Sequence, residues 1–218
     1  MFVGHYGVSF ATKKVDASIP LWVLFLAVQW LDVIWAPLVL LGIEKVRIVP
    51  GFTATNPLDL YYMPYTHSLV AALVWSVVAG GAYHLLRRPA ARTSVFVGLA
   101  VLSHWILDFV VHRPDLPLYD NTAKVGLGLW DYPSLAFGLE AALLFGGMAV
   151  FLQARPARRT AIITLGVVML GVQAYVFFGP PPASPAAAAS TALAAYGIFA
   201  LVIWFLADRS LPVRATAA

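Results

Sequence analysis

The chain contains no cysteine in 218 residues. Disulfides, thiolate metal sites and a cysteine nucleophile are thereby excluded, which leaves histidine, aspartate and glutamate as the strong ligands available. Charge is scarce as well: Asp, Glu, Lys and Arg together make up 11% of the residues, against 61% hydrophobic residues and a mean hydropathy of +0.83. A soluble domain of this length needs far more polar surface, so the composition is that of an integral membrane protein. The net charge of +4 does not indicate nucleic acid, because the basic residues sit in short clusters between apolar runs. No internal repeat is visible, and no stretch is polar enough to build a second domain. A single membrane domain over residues 1–218 is expected.

A spanning helix requires about 20 mostly apolar residues. Segments near 18–42, 64–86, 93–112, 134–153, 159–179 and 189–207 meet that requirement, so the expected fold is all-α, a polytopic bundle of about six transmembrane helices. Residues 2–12 are apolar but too short to span. They read either as a half-membrane helix covered by protein or as an amphipathic tail. Lys13 and Lys14 follow this piece, which does not resemble a cleaved signal. Further basic clusters fall at Arg87, Arg88 and Arg92, at Arg155, Arg158 and Arg159, and at Arg209 and Arg214. The positive-inside rule then sets both termini in the cytoplasm of a bacterial inner membrane, with the loops 43–63 and 113–133 outside as a lid or rim. The alanine run at 186–189 reads as close helix packing.

Ionisable groups in hydrocarbon are costly and by default mark function. His104, Asp108, His112 and Asp115 follow one another at steps of four, four and three, one stripe of a helix, and two or three of them could bind one metal ion. Asp32 lies inside the first span, His67 opens the second, and Glu140 lies about two turns into the fourth. Counted at ~1.5 Å per residue, Asp108 sits about 6 Å, Glu140 about 9 Å, His104 about 12 Å and Asp32 about 15 Å below the outward surface, and His5 near 18 Å. That spread is wide for one ion. It permits an outward-half cavity lined by Asp32, His67, His104 and Asp108, with Glu140 and His5 further candidates. His84, near Arg87 at the opposite surface, falls outside it, and His112 and Asp115 form its rim.

Gly4-His5, Asp32 at the end of an apolar run, Thr66-His67-Ser68, and Ser103-His104 followed by Leu107-Asp108 resemble, in this order, the YdjM-like family of predicted membrane-bound metal-dependent hydrolases. The resemblance covers roughly residues 4–115 and leaves the C-terminal helices of 134–207 unaccounted for. It implies a divalent metal held by His5, Asp32, His67, His104 and Asp108, and hydrolysis as the activity. Two positions depart from the family pattern. Ile34 stands where the family has a second aspartate, and Tyr62 and Met63 stand where it has His-Arg.

The expected function is hydrolysis of an ester or phosphoester of a lipid or other membrane-delivered substrate. The metal would activate a water, Asp108 or Glu140 would take its proton, and Arg113 and Lys124 would steady an anionic leaving group. Zinc suits a histidine-rich site, while the oxygen ligands also admit manganese or magnesium. Two other classes fit the same residues: a proton- or metal-ion-conducting transporter, and a non-catalytic protein whose buried polar groups fix helix packing. No inverted repeat supports the transporter.

Overall fold

The computed structural model describes residues 1–154 and 156–209. Arg155 and Arg214, counted above among the basic clusters, lie outside them. The described residues form a helical bundle with one small hairpin. Helices α1 (His5–Val15), α2 (Leu21–Val28) and α3 (Trp30–Leu40) are followed by strands β1 (Lys45–Ile48) and β2 (Leu58–Tyr62). Then come α4 (Leu69–Arg87), α5 (Ala91–Val111), α6 (Pro133–Leu152), α7 (Arg159–Phe178) and α8 (Pro185–Ile203). Among the described residues, the five helices from α4 to α8 are long and apolar enough to cross a membrane, and α2 and α3 meet the same test taken together as a bent pair, which counts as a sixth if the pair is one span. Outward-facing apolar side chains such as Val77, 75% exposed on α4, fit a hydrocarbon surround.

The first span is broken, where the sequence suggested one continuous helix. α2 and α3 meet at Gln29 with a bend of 54°. A break in a membrane span leaves carbonyls without intrahelical partners, so it is tolerated only inside protein. Here Gln29 is fully buried and its Nε2 donates to the Phe2 carbonyl at 3.0 Å. The opposite end of α2 is capped from far along the chain, with Leu21 and Trp22 donating their amides to the Asp208 carboxylate.

Of the two readings of the N-terminal piece, the folded one holds: α1 is a buried half-length helix. It packs against α6, α2 and α5, with Tyr6 and Phe10 fully buried against Phe25 and Phe199. The approach to α6 is backbone against backbone. A Cβ on Gly7 would stand 2.0 Å from the Leu143 carbonyl oxygen, and one on Gly147 would stand 2.0 Å from the Gly7 carbonyl oxygen. Only glycine admits that contact, in keeping with the use of small residues where membrane helices cross closely.

β1 and β2 pair antiparallel; the 112–132 loop is closed on itself by the bridges Leu116 with Val125 and Tyr119 with Thr122, and it is tied to the hairpin by Asn121 and Lys124, which donate to the Tyr61 carbonyl. That loop also caps α4: the Leu69 and Val70 amides donate to the Pro117 and Leu118 carbonyls. Hairpin and loop thus close one end of the bundle, the end to which the N-termini of α4, α6 and α8 and the C-terminal end of α5 come. The alanine run does not serve packing alone. Ala189 is buried beside Trp35, Val39 and Met63, but Ala187 and Ala188 face an internal cavity.

Gly147→Ala is expected to push α1 off α6 and destabilise the protein by about 1–3 kcal/mol, the usual cost of overpacking. Gly146→Ala, whose Cβ would meet nothing within 4 Å, should leave stability unchanged. Thermal unfolding of both variants in detergent checks the pair.

Candidate metal centre

Five side chains from four parts of the chain converge below the hairpin end. His5 is the first residue of α1, Asp32 lies in the first turn of α3, His67 directly precedes the Ser68 cap of α4, and His104 and Asp108 stand one turn apart on α5. All are buried except Asp32, whose side chain retains 16% of its exposure. His5 Nε2 lies 3.3 Å from Asp108 Oδ1, and His104 Nε2 lies 3.1 Å from Asp108 Oδ2. His67 Nε2 lies 3.3 Å from Asp32 Oδ1 and 3.8 Å from Asp108 Oδ2, and His104 Nε2 lies 3.8 Å from Asp32 Oδ1. The depths counted along straight helices were too spread for this meeting. The break at Gln29 removes the discrepancy, because Asp32 starts a new helix there and is not the middle of an old one.

The orientation of the imidazoles follows from what each Nδ1 touches. His104 Nδ1 is 2.7 Å from the Val28 carbonyl, which can only accept, so Nδ1 carries the proton and Nε2 a free lone pair. Val28 ends α2, and its carbonyl is available because the helix stops there. His67 Nδ1 is 2.7 Å from Thr66 Oγ1, whose own hydroxyl donates to Glu44 Oε2 at 2.6 Å. Thr66 therefore accepts from His67, and again Nε2 is left free. Glu44 also accepts the Tyr65 and Thr66 amides, and its burial pushes the carboxyl above the ordinary glutamate range, against the opposing pull of His67 and Thr66. Trp105 holds the same turn by donating Nε1 to the His67 carbonyl at 2.9 Å.

His112 belongs with this group and not on the rim. It lies just past the end of α5, is 2% exposed, and turns Nε2 to within 3.7 Å of Asp108 Oδ2. Its Nδ1 donates to Asp115 Oδ1 at 2.9 Å. The four-residue step from Asp108 was the signal in the sequence, but depth counting placed His112 at the surface. The 112–132 loop folds over it, and Trp130 packs its ring 4.3 Å from the imidazole.

These donors can hold a metal ion. His5, His104 and Asp108 form one set whose ligand atoms lie within 4.8 Å of one another, and Asp32, His67 and His104 form another. Four ligand atoms bound at ~2.0–2.1 Å in a tetrahedron stand about 3.3 Å apart, close to the spacings above. His5 Nε2 and His104 Nε2 are buried without a hydrogen-bond partner, although each has a carboxylate oxygen within 3.3 Å. Close approach without hydrogen-bond alignment is what a lone pair directed at a shared cation produces. The Nδ1 partners, two of them oxygens backed by a carboxylate or belonging to one, are the outer supports that metal-binding histidines characteristically have.

Other expected site residues have further partners, and of these Glu140 also lines the cavity. Glu140 is fully buried, but its Oε1 accepts the Phe2 amide at 2.9 Å and its Oε2 accepts the Gly4 amide at 2.6 Å. It thereby caps the start of α1, whose first amides have no helical partner, and Gln173 Nε2 lies 3.4 Å from Oε1. The same arrangement brings the Met1 nitrogen to 2.5 Å from Asp108 Oδ1. Arg113 gives two donors to Asp131, at 3.0 and 2.9 Å, and Lys124 donates to the Tyr61 carbonyl. Neither lines the cavity beside the cluster. His84 sits beside Ser94 on the far half of α4 and α5, apart from the site as expected.

A residue that the sequence did not single out is Tyr196 of α8, which donates its hydroxyl to Asp32 Oδ2 at 2.6 Å. Nothing in the polarity of an otherwise apolar, alanine-rich helix marks it. A cavity of about 520 Å³ opens beside the cluster, with Asp32, His67, Asp108 and His112 on its wall and α7 and α8 along its sides.

Glu140→Ala should leave the Phe2 and Gly4 amides without their acceptor, at a cost of about 1–3 kcal/mol for each buried group. A lower melting temperature with early proteolysis of the N-terminal segment is expected, and Glu140→Gln, which keeps one acceptor oxygen, should lose less. No protein-family model, curated protein or solved structure matches the chain.

Proposed function

We propose that the protein is a membrane-embedded metal-dependent hydrolase that cleaves an ester or phosphoester of a lipid or other membrane-delivered substrate. One observation carries the reading: three buried imidazoles hand their Nδ1 protons to oxygen acceptors, and beside a cavity His67 and His104 direct Nε2 toward both Asp32 and Asp108 while His112 directs it toward Asp108. The resemblance to the YdjM-like membrane hydrolases supports it independently, through the order of His5, Asp32, His67, His104 and Asp108.

His104 would hold the ion together with Asp32 and His67, or with His5 and Asp108, the two sets whose ligand atoms lie close enough to share one cation. Two or more imidazoles with carboxylates favour zinc. When bound, the ion supplies Lewis acidity, acidifying a water and polarising the scissile bond. His112 is the proton carrier, because Asp115 holds its Nδ1–H and leaves Nε2 facing the cavity and Asp108. It takes one proton from the attacking water as the water oxygen bonds to the acyl carbon or phosphorus. The ester bond to the leaving oxygen breaks, and His112 returns that proton to the leaving oxygen. Water is thus divided between an acid and an alcohol, with no other reactant. Glu140 is a positioning residue for α1, and Tyr196 fixes Asp32.

The transporter reading has less support. On the side away from the hairpin, Tyr6, Phe10, Leu24 and Phe25 are fully buried and fill the bundle beneath the cluster. Ion conduction needs polar partners along that path. The basic residues beside the far ends of α1 and α4 favour a site open to the outer face of a bacterial inner membrane.

Purified protein should contain zinc near stoichiometry and hydrolyse p-nitrophenyl esters or phosphodiesters. The His104→Ala/Asp108→Ala double variant should lose both. His112→Ala should retain zinc while kcat falls about 10²–10⁴-fold, the range for a lost general acid–base group. Metal-free wild-type protein that carries protons or cations across liposomes would overturn the hydrolase in favour of transport.

A further inference from the structure

We infer that the space between α7 and α8 is the binding slot for the hydrocarbon chain of a single-chain lipid phosphoester, entered sideways from the bilayer. The placement of its polar head at the His/Asp cluster rests on the hydrolase reading above; the slot itself rests on the fold.

The two last helices are held on different partners. α7 packs against α6, while α8 packs against α2 and α3. The 520 Å³ cavity extends from the cluster and the hairpin into the space between them. Val172 and Val176 form one wall, and Ala188, Ala192 and Ala195 form the other. The small side chains of α8 are what create the space, since leucines there would close it. Val176 and Thr191 line the cavity and are exposed, and they sit on the two helices that would face hydrocarbon. Both helices are candidate membrane spans.

The slot has two chemically distinct ends. Aliphatic walls extend along α7 and α8, while Asp32, His67, Asp108 and His112 gather at the inner end. Packed protein interiors carry few voids larger than a water molecule, and apolar cavities do not hold water. A space of this size between lipid-facing helices is therefore matched by an aliphatic chain, and its volume falls within the range of small-molecule sites. The metal ligands and His112 at the inner end suit an anionic, hydrolysable head. The seam would let the head reach the cluster without leaving the membrane, with the hairpin residues Thr55, Asn56 and Pro57 lining the same cavity above it.

The test uses the full-length protein in lipid nanodiscs with a hexadecyl phosphate that carries a diazirine on its chain. After irradiation, peptide mass spectrometry should find the label on α7 and α8 at the seam. Unlabelled hexadecyl phosphate should displace it, and butyl phosphate should not. Ala192→Trp should abolish the labelling. Ile198→Trp, on the same helix but outside the cavity wall, should not. Matched gel-filtration profiles and metal content would show that both variants fold. Labelling spread evenly over all spans, or unchanged by Ala192→Trp, would overturn the inference, as would displacement by a neutral alkane chain as effectively as by hexadecyl phosphate. Seam labelling in a protein without metal or hydrolysis would leave the slot standing and remove the hydrolase. Metal binding and cleavage of p-nitrophenyl esters without seam labelling would do the reverse.

Discussion

A carboxylate taken out of water in the middle of a membrane bundle is stable only when donors or cations surround it, and the arrangement around Asp108 is organised by that requirement. Its Oδ1 faces the Met1 nitrogen and His5, and its Oδ2 faces His104, with His67 and His112 farther out. Supplying these groups requires α1 to be buried, the start of α4 to lie against α5, and the 112–132 loop to fold back over the end of α5. Glu140 serves the same end from the other side. By accepting the amides of Phe2 and Gly4 it fixes the start of α1, and with it the positions of Met1 and His5.

The break at Gln29 is the second device on which the site depends. A continuous helix would consume the Val28 carbonyl internally and carry Asp32 on past the cluster. Stopping α2 at Val28 gives His104 an acceptor that dictates its tautomer, and restarting at Trp30 turns Asp32 toward His67 and Tyr196. One irregularity therefore orients an imidazole and a carboxylate together. Irregular backbone at membrane depth is expected where it lines a cavity, and here it does.

The apolar runs made the bundle and its spans legible, because helix length in a bilayer is fixed by thickness and composition. His5, Asp32, His67, His104 and Asp108 stood out for a related reason: ionisable groups in such runs are rare. Depth could not be read by counting, since counting assumes straight helices and the first span bends by 54°. The same assumption misplaced His112, which a folded loop buries. Glu140, Arg113 and Lys124 carried the right chemistry for a site but are taken by backbone amides, Asp131 and a backbone carbonyl. Such pairings depend on tertiary neighbours that spacing does not encode. Tyr196 was invisible for the opposite reason, as an ordinary residue in an ordinary apolar helix.

Ile34, Tyr62 and Met63 contribute neither a carboxylate nor an imidazole to the cluster, and the structure shows what Met63 does instead. Met63 is fully buried in the apolar cluster with Trp35 and Ala189, so that position now serves packing under the hairpin. His112 and Asp115 add an imidazole and a carboxylate from the far end of α5, on the same side of Asp108 as the cavity. The histidine-rich cluster is thus built both at the β2–α4 turn, by His67, and at the end of α5, where His112 approaches Asp108. The hairpin packs beside Met63, and the cavity next to the cluster is lined by α7 and α8 together with the hairpin residues Thr55, Asn56, Pro57, Leu58 and Leu60. The C-terminal helices, which bear no motif, thereby line the cavity beside a cluster that α1, α3, α5 and the β2–α4 turn assemble.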